Sequence, residues 1–482
     1  MKPNRINDAL YGCAGVLLLG VIVFGMIRPL LSIHRYLPLD PNEGWNAYFA
    51  DAAIHGGVLY PAADALITNN YPPLSFYLVG AVGYLMGDNI FAGRIIALLS
   101  LLFVAWSIYY WLRTTGTAAR FSVLAALIFL AYAVTYARDY VAMNDPQWLA
   151  HALMMAGLLV VWKSEGNTRR LIIGAALMMA AGWTKHLLIP LPATVSLWLL
   201  WRSRPAFAKW AVSATVTLAL FAMLAWWLFG PRMFESLHEP REYMRWKAIT
   251  EATAALRCFA PLAILWLFAL VQGPPYGRLE ERLGFVSAYL MIAGAIALLA
   301  AGGAGVDVNS FFDALIALCL AAGLALEILS VPQERWSAAT AGVLAGCLVA
   351  YLSITAKLEL RDIRNLETDE RTALRDIEII KADGHGHAAC EMLDLCYWAK
   401  SAFMMDFFYF GQKIKTGVLP RTACADTFEH GDITLVQLES NPRWRAKLLP
   451  NDCDALIMHR YRPIRESNFG PLLARPGVTA SR

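Results

Sequence analysis

The chain has 482 residues, of which 58% are hydrophobic and only 16% charged, with a mean hydropathy of +0.47. Soluble domains run at about 45–50% apolar and about 25% charged, so the composition excludes an ordinary soluble protein and predicts a polytopic membrane protein. The net charge of +4 is small for this length and no Lys/Arg-rich arm stands out, which argues against nucleic acid as a partner.

The first apolar run, residues 10–31, is too long for a signal-peptide core and has no A-x-A cleavage pattern, so it reads as a retained membrane helix. A span needs roughly 20 apolar residues. On that rule about eleven helices are predicted, near 9–31, 90–112, 118–137, 146–163, 170–184, 187–201, 210–230, 253–272, 284–302, 309–329 and 337–356. The pair meeting at 184–187 could be one broken segment.

Between the first two spans lies a polar loop, 32–89, carrying Asp40, Glu43, Asp51 and Asp64 among aromatic residues. Asp40-Pro41-Asn42-Glu43 has the pattern of a capping box: Asp40 at the N-cap, Pro41 at the first helical position, Glu43 reaching back. The helix it starts should run to Gly56-Gly57 with Trp45, Tyr48, Phe49 and Ala52 on its apolar face. A carboxylate at such a helix start can also act as general base towards an alcohol. Asn69-Asn70-Tyr71-Pro72-Pro73-Leu74 reads as a turn and helix start, and 72–88 as a short helix lying on the membrane surface rather than crossing it.

Further along, Arg138-Asp139 and Asn144-Asp145-Pro146 flank an exterior turn, with Asp145 a natural cap. Lys185-His186 interrupts about thirty apolar residues, where a lysine needs a partner, an interface or a lipid phosphate. Arg232, Arg241, Arg245 and Lys247 occupy loop 231–252, and Asp307, Asn309 and Asp313 sit where one span exits and the next re-enters. The last three have turn and cap chemistry as their plainest reading.

Orientation follows from Lys and Arg in short loops. With Lys2 and Arg5 in the cytoplasm, so are Arg113, Arg120, Lys163, Arg169, Arg170, Arg202, Arg204, Lys209, Arg278, Arg282 and Arg335, and the carboxylate-rich loops face outward. The domain division expected is 1–356 in the membrane and 357–482 as a small exterior α/β domain. The latter opens on a charged helix candidate with Leu366, Leu374 and Ile377 among its apolar positions, followed by strand-like runs at 432–438 and 454–461. Cys390, Cys396, Cys424 and Cys453 all fall there, an even count that fits disulfides in an oxidising compartment. His385 and His387 with the first two cysteines match no zinc spacing. Cys13, Cys258, Cys319 and Cys347 lie in apolar runs as packing residues. No phosphate-binding loop, dinucleotide fingerprint, nucleophile elbow or H-E-x-x-H motif is present.

The first exterior loop with D-x-x-E-G, then Y-P-P-L, a surface helix and a span opening Gly93-Arg94 resembles the GT-C fold glycosyltransferases, which include protein O-mannosyltransferases, aminoarabinose transferases and dolichol-linked glucosyltransferases. Asn144-Asp145-Pro146 with His151, and Asp307-Val308-Asn309, look like later family positions, and the resemblance covers roughly residues 9–356. Two departures are visible. Asn42 precedes Glu43 where family members often show Asp-Glu, and Asn70 stands where a D-Y-P-P motif has Asp.

The resemblance implies an enzyme of a bacterial inner membrane, with its C-terminal domain periplasmic. It would move a sugar from a polyprenyl-phosphate donor to a glycan, lipid or protein acceptor. Asp40 or Glu43 would be the base. Lys185, Arg241 and Arg245 would meet the lipid phosphate, and Asp139, Asp145 and Asp307 would orient sugar or acceptor. Tyr71, His186 and Asn309 complete the substrate-binding set. No cofactor or metal site is predicted, and a divalent ion is left open. The competing readings are a transporter or flippase with carboxylates in its path, or a ligase or polymerase using a diphosphate-linked donor. Polar clusters concentrated at one face favour a surface-facing enzyme over a transporter with mid-membrane sites.

Overall fold

The computed structural model describes residues 5–272, 278–331, 334–441, 445 and 448–477. In chain order come α1 (Arg5–Ser32), α2 (Pro41–His55), α3 (Leu74–Met86), α4 (Asn89–Thr115), α5 (Ala119–Tyr136), α6 (Gln147–Trp162), α7 (Thr168–Gly182) and α8 (Pro190–Arg202). Then follow α9 (Arg204–Phe229), α10 (Pro231–Leu237), α11 (Arg245–Gln272), α12 (Arg278–Ala300), α13 (Phe312–Ser330) and α14 (Glu334–Asp383). Each of the eleven predicted segments holds a helix. Among the described residues eight helices are long and apolar enough to cross a membrane. The shortfall lies in α6, α7 and α8, of 16, 15 and 13 residues. Residues 183–189, between α7 and α8, are not helical, so the chain is broken where Lys185-His186 interrupts it.

α13 is apolar all round for most of its length, the pattern of a helix surrounded by protein; 94% of its span is buried, against α12, α11, α5 and α14. α9 is the opposite case, with 6% of its span buried and Val212, Leu218, Met223 and Trp227 exposed, as a hydrocarbon-facing helix should be. The segments joining helices on one side of the bundle contact one another: Asn144 with Glu43, Leu74 N–H with the Trp183 carbonyl, Arg232 with the Pro61 carbonyl, Lys247 with the Gly303 carbonyl. The other side carries pairs such as Arg120–Glu334 and Arg282–Glu327. Lys2 lies outside the described residues, as do the side chains of Arg5 and Arg278.

The first loop is held by one arginine. Arg94, in the second turn of α4, is fully buried and uses all five of its N–H donors. Nε and Nη2 bond the two carboxylate oxygens of Glu43 at 2.9 and 2.5 Å. Nη1 donates to the carbonyls of Ser32 and Arg35 at 2.7 and 3.0 Å, and Nη2 to that of Leu37 at 2.7 Å. The turn between α1 and α2 is thereby wrapped around a guanidinium. Glu43 also accepts the backbone N–H of Asn144 at 2.9 Å, and Gly93 leaves room for the Asn144 side chain, which a Cβ there would strike.

α2 runs from Pro41 to a left-handed Gly56, as expected, and Asp40 caps it by accepting the Asn42 N–H at 2.9 Å. The capping box does not close, because Glu43 is taken by Arg94. Trp45 and Phe49 are buried as predicted. α3 is short, as expected, at 13 residues, with Phe76 buried and Tyr84 and Leu85 exposed on its outer face.

α14 has 50 residues, about 75 Å at 1.5 Å per residue. It passes unbroken through the expected boundary at 356/357 and carries the C-terminal domain on its far half. Leu366 and Ile377 are buried there and Leu374 is exposed. β1 (Ala388–Cys390), α15 (Leu393–Trp398), α16 (Phe407–Thr416), β2 (Leu435–Gln437), β3 (Arg462–Arg465) and β4 (Leu472–Ala474) follow. The sheet order is β1-β2-β4-β3, with β1 and β2 parallel and the other pairs antiparallel. The run at 432–438 does contain a strand. The run at 454–461 does not: Asn451–Arg460 is a helix, with Asp452 and Asp454 in its first turn and His459 and Arg460 in its last. Those charges complement the helix dipole, and the buried Cys453 and Ile457, four residues apart, share one face. Disulfides join Cys390 to Cys396 and Cys424 to Cys453.

The domain docks on the first loop through close backbone packing. A Cβ on Gly44 of α2 would collide with the backbone of Leu393 and Asp394. Tyr48 donates to the Ser401 carbonyl at 3.0 Å and Trp398 Nε1 to Asp88 at 2.9 Å.

Two predictions follow from this packing. Glu43→Gln leaves Arg94 buried with its charge uncompensated, which costs about 3–5 kcal/mol; thermal unfolding in detergent should show a large drop in Tm, and an unchanged Tm would contradict the role given to the pair. Gly44→Ala overpacks the docking contact, costing about 1–3 kcal/mol, and should speed proteolytic release of the C-terminal domain.

Candidate active site

Two adjoining hollows lie where the first loop, the connecting segments and the C-terminal domain meet. The wider has a volume of about 330 Å³. Asp40, Pro41, Asn42 and Trp45 at the start of α2 form one wall; Glu391, Leu393, Asp406 and the aromatic run Phe407, Phe408, Tyr409 from the C-terminal domain form the facing one. The narrower, about 80 Å³, is lined by Lys185, His186, Gln147 and Asn309, and by the apolar last turns of α12, including Ile296 and Ala300. Asn70, Tyr71, Arg241 and Gly305 line both, so the two share a wall. Gly305 has φ +73 and lies against the Phe408 ring, two reasons for glycine at that point.

The two candidate bases separate on geometry. Glu43 is fully buried, paired with Arg94, and lines neither hollow. Asp40 faces the wider hollow, held by the Asn42 backbone and side-chain N–H groups at 2.9 and 2.7 Å. Burial pushes its carboxyl up to about 6, with the Glu43 charge adding to the effect against the Asn42 hydrogen bonds. Behind Glu43 stands the fully buried Asp394 of α15. Burial, and then the Glu43 charge, push its carboxyl well above the usual range, with the Arg94 charge acting against them.

Lys185 sits in the α7–α8 break with Nζ 3.4 Å from Asp145 and 4.7 Å above the Tyr71 ring. Burial works against its ammonium, but Asp145 and Tyr71 together outweigh this and keep the pKa above the ordinary lysine value. His186 is driven down to about 4 by burial and by the charges of Lys185 and Arg241, so it is a neutral imidazole. Asp145 also accepts the Gln147 N–H at 2.8 Å, as the predicted cap. The narrower hollow therefore presents a fixed cation and a guanidinium beside an apolar wall, and the buried Asp313, which accepts the Tyr289 hydroxyl, also lines it.

Of the predicted set, Asp40, Tyr71, Lys185, His186, Arg241 and Asn309 line the hollows, and Asp145 stands behind Lys185. Asp307 is exposed outside both, accepting from Tyr140 Oη at 3.4 Å. Asp139 is exposed and paired with Arg28 at 3.3 Å. Arg245 is exposed at the first turn of α11. His151 is buried against Trp148 and Phe312 and lines neither hollow. The residues that sequence reasoning missed are Glu391, Asp406 and Tyr409, because only tertiary docking brings them to the first loop. Asp406 carried a faint signal as a helix cap, accepting the Tyr409 N–H at 3.2 Å. Among the described residues no group of three or more His, Cys, Asp or Glu is placed to hold a metal ion.

No curated protein matches the sequence. A family model described as a 6-pyruvoyl-tetrahydropterin synthase related domain, of membrane proteins, matches residues 68–271. Among solved structures the chain is similar to ArnT from Cupriavidus metallidurans. To the apo state it is 14% identical with a TM-score of 0.60, covering 95% of this chain and 97% of that one. To the form bound to undecaprenyl phosphate it is 15% identical with a TM-score of 0.60, covering 98% of each. The S. cerevisiae protein O-mannosyltransferase Pmt1-Pmt2 complex bound to its sugar donor is 17% identical with a TM-score of 0.33, over 49% of this chain and 36% of that one. What the likeness to ArnT establishes is the fold: this chain is built on the GT-C membrane scaffold, as the pattern of its first loop suggested.

Proposed function

We propose that the protein is a membrane glycosyltransferase that moves a sugar from a polyprenyl-phosphate donor to an acceptor hydroxyl, at the face where the C-terminal domain sits. The observation that carries this reading is the shared wall: Tyr71 and Arg241 line both the hollow holding Asp40 and the one holding Lys185. A base and a phosphate-compatible cation site therefore adjoin, as a one-step displacement at a sugar carbon requires. The solved ArnT form bound to undecaprenyl phosphate supports a donor of that class.

In this reading the donor phosphate lies by Lys185 and Arg241, its lipid chain leaving along the apolar end of α12. Asp40 takes the proton of the acceptor hydroxyl as its oxygen attacks the anomeric carbon from the face opposite the phosphate. The bond from that carbon to the phosphate oxygen breaks, and the polyprenyl phosphate departs with the electron pair. The product has inverted configuration. Fixed positive donors stabilise the charge that grows on the leaving phosphate, an effect commonly worth about 10²–10³ in rate per group. Glu43 takes no proton; with Arg94 it fixes the helix start on which Asp40 sits. The compartment that fits is a bacterial inner membrane, with the N-terminus cytoplasmic and the C-terminal domain periplasmic.

Asp40→Asn should lower transfer by about 10²–10⁴, the usual worth of general-base help, with the protein still folded in the membrane. Mass spectrometry of envelope glycans and lipids checks this: the product lost on deleting the gene should be lost with Asp40→Asn as well. A wild-type product level in that variant would overturn the assignment. The base works only when deprotonated, so the rate should fall as pH drops through about 6, and that acid limb should disappear in Asp40→Asn.

A further inference from the structure

The wider hollow has a charge composition that bears on what enters it. Three carboxylic acids line it: Asp40 from the first loop, and Glu391 and Asp406 from the C-terminal domain. Its guanidinium, Arg241, is shared with the narrower hollow, where the donor phosphate is placed. Asp406 is 6% exposed. Glu391 is fixed by accepting the Glu439 N–H at 2.6 Å, on a loop closed by the Cys390–Cys396 disulfide that also carries Leu393 to the cavity wall. Trp45, Phe407 and Tyr409 add flat apolar faces, and a volume of about 330 Å³ is within the range of small-ligand sites.

We infer that Glu391 and Asp406 read the acceptor, and that the acceptor is a polyhydroxylated, sugar-like group with no negative charge near its reacting hydroxyl. The inference rests on the glycosyltransferase reading and adds to it the class of the second substrate. Carboxyl groups on two sides of a ring-lined cavity can exchange hydrogen bonds with several hydroxyls, while the rings cover the sugar's C–H faces. A phosphate or carboxylate brought there meets acids on both walls, and like charges set together in a partly buried site are strongly disfavoured.

The test uses the full-length protein in lipid nanodiscs and saturation-transfer NMR with three soluble probes of one shape: methyl glucoside, methyl glucosaminide and methyl glucuronide. The neutral and cationic probes should bind, and the anionic one should bind at least about tenfold more weakly. In the Glu391→Gln/Asp406→Asn double variant that ratio should fall towards one. Equal binding of the glucuronide by the wild type, an unchanged ratio in the double variant, or binding of none of the three would overturn the inference. Binding of polyprenyl phosphate, measured on the same samples, reports on the donor separately. If it fails while the sugar discrimination holds, the donor reading falls and the charge selection of this cavity stands.

Discussion

The geometry of the candidate site depends on a buried ion pair. Arg94 and Glu43 are both withdrawn from water, and the cost of burying them is offset because every donor of the guanidinium has an acceptor. Three of those acceptors are backbone carbonyls of the turn leading into α2. The arginine thus sets where α2 begins, and its first turn sets where Asp40 points. A buried pair of this kind contributes little net stability compared with an apolar substitute. What it supplies here is position.

The second constraint is the long helix α14. A continuous 50-residue helix begins in an apolar stretch and carries a disulfide-linked domain on its far half. Arg138 ties the α5–α6 turn to Glu359 on it at 2.7 Å, and Arg465 ties β3 to Asp376 at 2.5 Å. The domain is held to this rod by the Arg465–Asp376 pair and to the first loop by the close approach of Gly44 to α15. Its acids and aromatic residues therefore reach the first loop in a fixed arrangement.

The helices and the first loop were legible in the sequence because their signals are local. Runs of about twenty apolar residues, Asp40 before Pro41, and the Gly56-Gly57 stop each act within a few residues. The role of Glu43 was not legible, since a capping glutamate and an arginine-paired one have the same local sequence, and the partner lies 51 residues away. The same limit applies to Glu391 and Asp406. The run at 454–461 misled because a short continuous apolar run, Ala455 to Met458, fits a strand or a helix segment equally well, and the charges at its two ends were the better guide. The helices α7 and α8 fell below the spanning length because the chain breaks between them at residues 183–189, where Lys185 sits.

The central claim is that a lipid phosphate and the Asp40 carboxyl meet across the wall formed by Tyr71 and Arg241. A cryo-EM structure of the protein in nanodiscs with polyprenyl phosphate tests it directly. The account predicts phosphate density against Lys185 and Arg241, with Asp40 facing the space beyond it. Phosphate density on the opposite side of the bundle, or at this face with no path to Asp40, would contradict it.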